Sequence, residues 1–211
     1  MKITAIKVET EIVPVKHQFV WRKGLRGSGK EQDTAKITVE TDEGVTGVSY
    51  SSHGAMVKDM IERSIGPDLI GFDPLMKEYL WHRVWEMDRL EETPIYGLGL
   101  VDIALWDLNA KVANMPLWKM LGGFRDRIPV YASTVTYSTI EEFLEIADQC
   151  IDYGFRAIKL HAWGDPKQDA KLGQALRNHV GPDIERMRTR AATRQHVNLV
   201  DRVVEFGVIG Q

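Results

Sequence analysis

Residues 99–123 read GLVDIALWDLNAKVANMPLWKMLGG, and this stretch decides the fold. Apolar side chains recur in it at three- and four-residue intervals, which predicts an amphipathic helix over about residues 95–114. Asn114 and Pro116 mark the end of that helix, because proline lacks the amide proton and clashes with the preceding turn. The face predicted to be buried consists of Leu98, Val101, Leu105, Leu108 and Val112.

An antiparallel sheet is predicted before this helix. Residues 2–9 (KITAIKVE) are rich in Ile and Val and partly alternate in polarity, which is typical of a strand. Two more strands, AKITVET at 35–41 and VTGVSYS at 45–51, flank a hairpin turn in which Gly44 can adopt a positive φ. The sequence therefore predicts three antiparallel strands at the front of the chain.

Helices are predicted between this sheet and residue 95. Apolar spacing predicts the first over residues 56–64. Asp73 followed by Pro74 indicates the start of the second, with Asp as the N-cap and Pro in the first helical position.

After about residue 126 the pattern changes to alternating strands and helices. Strands are predicted at 128–133 (IPVYAS) and 155–161 (FRAIKLH). Thr139 and Glu142 form a capping box at the start of the helix between them, and Asp165 begins another helix after the second strand. Strands and helices in this order predict a parallel βα layer.

The overall composition argues against a nucleic-acid or membrane partner. The formal net charge is -3, so the chain carries no global basic field. No segment is long enough to span a membrane, and the N-terminus lacks the apolar core of a signal peptide. The single cysteine, Cys150, excludes an internal disulfide and fits a reducing compartment. We therefore expect a soluble cytoplasmic protein.

The helix at 99–123 also carries a motif, D-x-A-L-W-D-L-x-x-K, followed by Pro and then L-x-x-L-G-G. This motif resembles the signature of the mandelate racemase and muconate-lactonizing group of the enolase superfamily. The resemblance covers about residues 1–184. In this sequence the motif positions are Asp102, Ala104, Leu105, Trp106, Asp107, Leu108, Lys111, Pro116, Leu117, Leu121, Gly122 and Gly123.

The resemblance implies two domains. Residues 1–125 would form an α+β capping domain, a three-stranded antiparallel sheet plus a helical bundle. Residues 126–211 would form the first βα units of an incomplete TIM (β/α)8 barrel, family-like to about residue 184 and divergent over 185–211. Most signature residues are expected to pack the capping domain on the barrel, so the signature identifies the family and does not perform its chemistry.

Lys159 and His161 are the strongest candidates for chemistry. They are two positions apart on a predicted strand, so both side chains point to one face, and Ile158 and Leu160 point to the other. In a barrel, catalytic groups gather on the inward face near the C-terminal ends of strands. The alternative is that Lys159 extends to the barrel mouth and pairs with an acid there.

The resemblance gives this pair a chemical role. Enzymes of the family remove a proton from the carbon next to a carboxylate, with a magnesium ion stabilising the ene-diolate. Lys159 matches the first lysine of the family's Lys-x-Lys motif, which helps to hold the substrate carboxylate. His161 stands where the second lysine, the base, would be, and histidine is a competent base near neutral pH.

Substrate-binding residues are expected in two loops of the capping domain. The resemblance implies that residues 16–33 fold over the barrel mouth, where His17, Trp21 and Arg22 could contact substrate. Tyr50 and His53 follow the third strand, where the family has a second such loop. The alternative for each is an ordinary solvated loop residue.

The metal site is where the sequence departs from the family. The family's first ligand lies in a segment like G-P-D-I-x-x-M-x-D-x-N, whereas this chain reads GPDIERMRTRAAT, with Thr189 at the ligand position. A neutral hydroxyl substitutes poorly for a carboxylate on magnesium. The arginine-rich segment 185–194 is not predicted as a buried strand, and the fourth and fifth barrel strands, which carry two glutamate ligands in the family, are absent. We therefore expect no magnesium site and no metal ligands in this chain.

The sequence thus supports one interpretation with two alternatives. The first is a magnesium-dependent sugar-acid dehydratase acting on a small carboxylate substrate, in a homo-oligomer. The alternatives are a truncated, non-catalytic homologue, from a disrupted reading frame near residue 185 or a genuine short relative, and a racemase or epimerase of the mandelate racemase type.

Overall fold

The computed structural model describes residues 1–16, 27–91 and 95–187. The chain divides into two compact units. The first comprises Met1–Pro14 and Glu31–Phe124, and the second comprises Val15–Lys30 and Arg125–Gln211. In the described ranges, no helix combines the length and apolar character needed to cross a membrane.

The first unit begins with a three-stranded antiparallel sheet. Strands β1 (Ile3–Pro14), β2 (Glu31–Thr41) and β3 (Thr46–Ser52) lie in the order β1-β2-β3. Gly44 in the turn between β2 and β3 has a φ of 79°. The predicted sheet and hairpin are therefore confirmed, and β1 extends beyond the predicted residues.

Six helical segments of the described residues follow the sheet in this unit. Helix α1 (Gly54–Met60), a π-helical turn (Ile61–Ile65) and α2 (Gly66–Leu69) follow one another without a break. Helices α3 (Lys77–Glu91) and α4 (Ile95–Val112) are the long ones, and the short α5 (Leu117–Met120) ends the set. The helix predicted over 95–114 is thus confirmed as α4, within two residues of its C-terminal end.

The predicted start of α3 at Asp73 is wrong. The Asp73 carboxylate accepts a hydrogen bond from the Leu75 amide at 2.9 Å, and its carbonyl accepts one from the Met76 amide. These bonds close a turn, and the helix begins only at Lys77. Asp-Pro favours a turn as well as a helix start, which explains the difference.

The core of the first unit lies between one face of the sheet and the helices. Leu98, Val101, Leu105 and Leu108 of α4 are buried there, as the spacing predicts, whereas Val112 is partly exposed. The sheet contributes Ile3, Ile6, Val8, Ala35, Ile37 and Val39, and the other helices contribute Val57, Ile61, Ile65, Leu69, Leu80 and Val84.

The second unit is a parallel βα layer, which confirms the predicted fold class. Strands β4 (Ala132–Ser133), β5 (Ala157–Lys159) and β6 (Glu185–Met187) pair in parallel in the order β4-β5-β6. Helices α6 (Ile140–Asp152) and α7 (Pro166–Val180) connect them.

Two sequence-based predictions about these strands are wrong in part. Only Ala132 and Ser133 of the predicted strand 128–133 join the ladder, and Ile128, Val130 and Tyr131 are exposed rather than buried. Residues 185–187, predicted not to form a buried strand, pair with β5. The hydrogen bonds of the ladder join backbone groups and not side chains, so an arginine-rich sequence can still extend a sheet.

Both connecting helices begin at the predicted caps. Thr139 and Glu142 form the reciprocal capping box of α6, and the Asp165 carboxylate accepts the amides of Lys167 and Gln168 at the start of α7. Gly154 and Gly181 adopt positive φ just after the two helices, as expected for helix ends.

Candidate active-site residues at the end of β5

Side chains alternate sharply between the two faces of the chain around β5. Ile158 and Leu160 are 1% and 7% exposed and belong to the apolar core that α6 and α7 cover. Lys159 and His161 are more exposed than either neighbour. Because successive side chains of a strand point to opposite faces, Lys159 and His161 share the face away from the helices.

His161 is held by Thr134, the residue that follows β4. The Thr134 carbonyl accepts a hydrogen bond from Nδ1 of His161 at 2.5 Å, and the Thr134 hydroxyl accepts the His161 amide at 3.4 Å. The Thr134 amide donates to the Lys159 carbonyl at 3.0 Å. Residue 134 therefore links the ends of two adjacent strands at the candidate pair.

Asp169 of α7 fixes the loop that follows His161. Its carboxylate accepts the amides of Trp163 at 3.1 Å and Gly164 at 3.2 Å. Burial raises the pKa of Asp169, and these two hydrogen bonds oppose the rise because they favour the charged form. The loop is thus tied to the helix that covers the same sheet.

An aromatic cluster lies beneath this loop. Phe143 contacts Tyr137 edge-on at 4.9 Å between ring centroids and Trp163 at 5.5 Å. The Trp163 indole N–H donates to the Tyr137 carbonyl at 2.7 Å. Phe143 is therefore the apolar anchor of the segment that leaves β5 after His161.

Tyr50 lies on the polar face of the first unit's sheet. Glu9, Lys36 and Tyr50 pair across the three strands, and Lys36 and Glu9 form an ion pair at 3.0 Å. Tyr50 lines an open groove with them and is 72% exposed. Its predicted contact with substrate stays a prediction.

His53 occupies an unusual backbone conformation immediately before α1. Its φ of 63° lies in the left-handed region, which is uncommon for residues other than glycine but in which His, like Asn and Asp, is found more often than most. Asp33 stabilises the start of the helix, since its carboxylate accepts the Ala55 amide at 2.7 Å. His53 is exposed at this junction, and its predicted role in substrate binding also stays a prediction.

The remaining predicted site residues lie outside the described part of the chain. These are His17, Trp21 and Arg22 of the first loop and Thr189 at the expected ligand position. Among the residues that the structure does describe, no three His, Cys, Asp or Glu side chains group closely enough to hold a metal ion. The described donor set therefore does not fit the magnesium of the family, and no chemical step is assigned to that ion here.

The signature residues of α4 act within the first unit. The Asp107 carboxylate accepts the Val48 amide of β3 at 2.8 Å and the Lys111 ammonium at 2.6 Å. Lys111 also donates to the Thr46 carbonyl at 3.0 Å. With Leu105 buried in the same core, these residues hold α4 to the sheet, and the predicted packing of the capping domain on the barrel stays a prediction.

Another signature residue, Asp102, has a perturbed acidity. Burial, and then the nearby Glu78 carboxylate, raises the pKa of Asp102 above its ordinary 3.8. Lys77 and a hydrogen bond from Trp106 oppose the rise without cancelling it. The charged form is therefore disfavoured in the folded chain.

Replacing Asp102 with Asn should stabilise the chain in a pH-dependent way. A raised folded-state pKa means that the folded wild type loses stability as pH rises from 3.8 through the folded pKa. Asp102→Asn removes that loss, so its gain over wild type should be larger at neutral pH than below 3.8. Urea unfolding at both pH values tests this, with the exposed Asp126→Asn as the charge-matched control. A gain that is the same at both pH values would contradict the assignment.

The fold and the candidate pair define a class. An antiparallel α+β domain, followed by parallel βα units with Lys159 and His161 at a strand's C-terminal end, is the front part of a capped βα-barrel architecture. Residues 6–122 match the family described as mandelate racemase / muconate lactonizing enzyme, N-terminal domain. The chain belongs to this family of the enolase superfamily.

Characterised relatives act on sugar acids or related acids. The chain is 33% identical over 192 residues to 3,6-anhydro-alpha-L-galactonate cycloisomerase of Streptomyces coelicolor. The matched region covers 86% of this chain and 53% of that protein. It is 36% identical over 129 residues to D-mannonate dehydratase of Novosphingobium aromaticivorans, covering 58% of this chain and 32% of that enzyme.

Solved structures agree with the fold. A racemase from Streptomyces coelicolor with bound magnesium gives a TM-score of 0.78 at 27% identity, covering 88% of this chain and 54% of that one. A member of the enolase superfamily from Polaromonas sp. JS666 gives 0.75 at 28% identity, covering 89% and 51%. The chain therefore spans about half the length of these proteins.

Sequence reasoning missed Thr134 and Asp169. Both contact the segment around His161 through its backbone, and backbone contacts leave no periodic signal. For Thr134, the one available indication was that it is a polar residue directly after a predicted strand. Asp169 is placed by the first turn of α7, four residues after the cap Asp165.

Proposed function

We propose that this chain carries the base-bearing part of an enolase-superfamily sugar-acid dehydratase. The observation behind the proposal is the shared face of Lys159 and His161 at the end of β5, away from the helix-covered core. The relatives named as a sugar-acid dehydratase and an anhydro-galactonate cycloisomerase support the substrate class.

The two side chains have complementary roles in this chemistry. The Lys159 ammonium binds the substrate carboxylate and stabilises charge that moves onto it. His161 accepts the proton from the adjacent carbon. In a dehydration, the β-hydroxyl then takes a proton from solvent and leaves as water. The resulting enol loses its hydroxyl proton to solvent, takes one at C3 and becomes a 2-keto-3-deoxy acid.

A second candidate function is binding without turnover. The observation in its favour is the lack, among the described residues, of a group of metal-ligating side chains. Racemisation is a further candidate, since the relatives include an N-succinyl-L-Arg/Lys racemase. The cytoplasmic location and the homo-oligomer also stay proposals.

Hydrogen exchange at the α-carbon distinguishes these functions. The chain is incubated with D-galactonate, D-mannonate and mandelate in D2O with magnesium, and loss of the α-proton signal is followed by NMR. We expect exchange with a sugar acid, accompanied by a keto product. Base catalysis is worth about 10²–10⁴-fold, so His161→Gln should slow exchange by at least about 100-fold.

Matched controls come from the same unit. His179→Gln removes a histidine that pairs with Asp148 on the helix surface, and Lys167→Met removes an exposed lysine of α7. Both should exchange like wild type, whereas Lys159→Met should not. Exchange of mandelate without a keto product would favour the racemase. No exchange of any acid, together with no heat in a magnesium titration, would overturn the proposal in favour of binding without turnover.

A further inference from the structure

Thr134 makes three hydrogen bonds to the two residues of the candidate pair. Its amide donates to the Lys159 carbonyl, its hydroxyl accepts the His161 amide, and its carbonyl accepts from Nδ1 of His161. Thr134 is 7% exposed, so these bonds are shielded from competing water. A buried residue with this many contacts to one pair constrains the position and the ring orientation of His161.

The carbonyl partner determines which ring nitrogen carries the proton. A carbonyl oxygen can only accept a hydrogen bond, so Nδ1 of His161 must be the donor. In the neutral imidazole the other nitrogen, Nε2, then holds the lone pair. The opposite tautomer would place two lone pairs against each other in a part-buried contact.

We propose that Thr134 is a positioning residue that holds neutral His161 as the Nδ1–H tautomer and makes Nε2 the proton-accepting atom. The inference rests on the proposed role of His161 as the base. When Nε2 takes the α-proton, Nδ1–H remains in place and still donates to Thr134, so the hydrogen bond persists through the transfer. The carbonyl then stabilises the imidazolium without itself accepting a proton.

The Thr134 hydroxyl supports the same arrangement. It is the acceptor for the His161 amide at 3.4 Å, and this second bond fixes the backbone that carries the ring. Thr134→Val keeps the shape and the carbonyl but removes this acceptor, leaving the amide without it. The hydrogen bond from Nδ1 of His161 to the Thr134 carbonyl should then weaken. Thr134→Ser retains the hydroxyl and should keep that hydrogen bond.

Long-range ¹H–¹⁵N NMR of the full chain, labelled with ¹⁵N-histidine, tests the proposal directly. The spectra are recorded at alkaline pH on the neutral imidazole rings. His161→Gln identifies the His161 signals by their loss. We expect Nδ1 to show the shift of a protonated nitrogen and Nε2 that of an unprotonated one. A protonated Nε2, or two averaged shifts, would overturn the proposal.

The variants complete the test. Thr134→Val should move both His161 nitrogen shifts toward the average of the two tautomers, and Thr134→Ser should restore the wild-type shifts. The signals of His179, in the same unit and paired with Asp148, report whether the variants fold. Unchanged shifts in Thr134→Val would refute the role of the hydroxyl. The tautomer is read without substrate, so failure here is distinct from absence of sugar-acid turnover.

Discussion

Phe143→Ala should lower the free energy of unfolding of the second unit by about 3–5 kcal/mol. Phe143 is 1% exposed and contacts the rings of Tyr137 and Trp163 edge-on, so truncation leaves a cavity at the centre of that unit. The Trp163 ring cannot move into it without breaking the hydrogen bond from its indole N–H to the Tyr137 carbonyl. Urea unfolding followed by circular dichroism measures the loss.

Tyr153→Ala is the matched control. It removes an aromatic side chain of the same unit at a position that is 82% exposed, where surface substitutions usually change stability by less than about 0.5 kcal/mol. Equal effects of the two substitutions would show that the aromatic cluster is not the anchor of the second unit. The His161 NMR signals should also broaden in Phe143→Ala alone, because Trp163 lies two residues after His161 on the anchored segment.

Gly47→Ala should destabilise the first unit by about 1–3 kcal/mol or more. A Cβ at this position in β3 would lie far inside van der Waals contact of the Ala104 carbonyl and 2.7 Å from Cβ of Leu108. Both neighbours belong to α4, so relief requires the helix to move from the sheet. That movement would also strain the bonds from Asp107 and Lys111 to β3.

Gly99→Ala provides the contrast within the same element. No atom lies within 4 Å of a Cβ built there, and Gly99 is exposed on α4. Alanine is favoured over glycine in a helix by about 1 kcal/mol, so this variant should be as stable as wild type or more stable. Thermal unfolding of the two variants side by side measures the difference. A Gly47→Ala chain as stable as Gly99→Ala would contradict the close approach of β3 and α4.

Sequence patterns predict this fold well where a segment has a strong period. The apolar face of α4 apart from Val112, the hairpin turn at Gly44 and the capping box at Thr139 follow from spacing and local hydrogen-bonding chemistry, and the structure confirms them. Such signals are local, so the structure they predict does not depend on how the rest of the chain folds. The same reasoning was wrong for Asp73, because its carboxylate serves a turn equally well.

The surroundings of the candidate pair were less predictable. Alternation along β5 was sufficient to place Lys159 and His161 opposite Ile158 and Leu160. Thr134 lies 27 residues from His161 and meets it only because β4 and β5 are neighbours in a parallel sheet. Contacts of that kind depend on strand order and on backbone atoms, and the spacing of side chains along the sequence predicts neither.

The proposed site requires one acid to contact Lys159 and His161 together. The direct measurement is an NMR titration of the full chain, with ¹³C-methylated lysines and ¹⁵N-labelled histidines, by D-galactonate or D-mannonate. We predict that the signals of Lys159 and His161 shift along one binding curve, while those of Lys167 and His179 stay in place. Shifts confined to other residues, or separate curves for the two side chains, would contradict a shared carboxylate site at the end of β5.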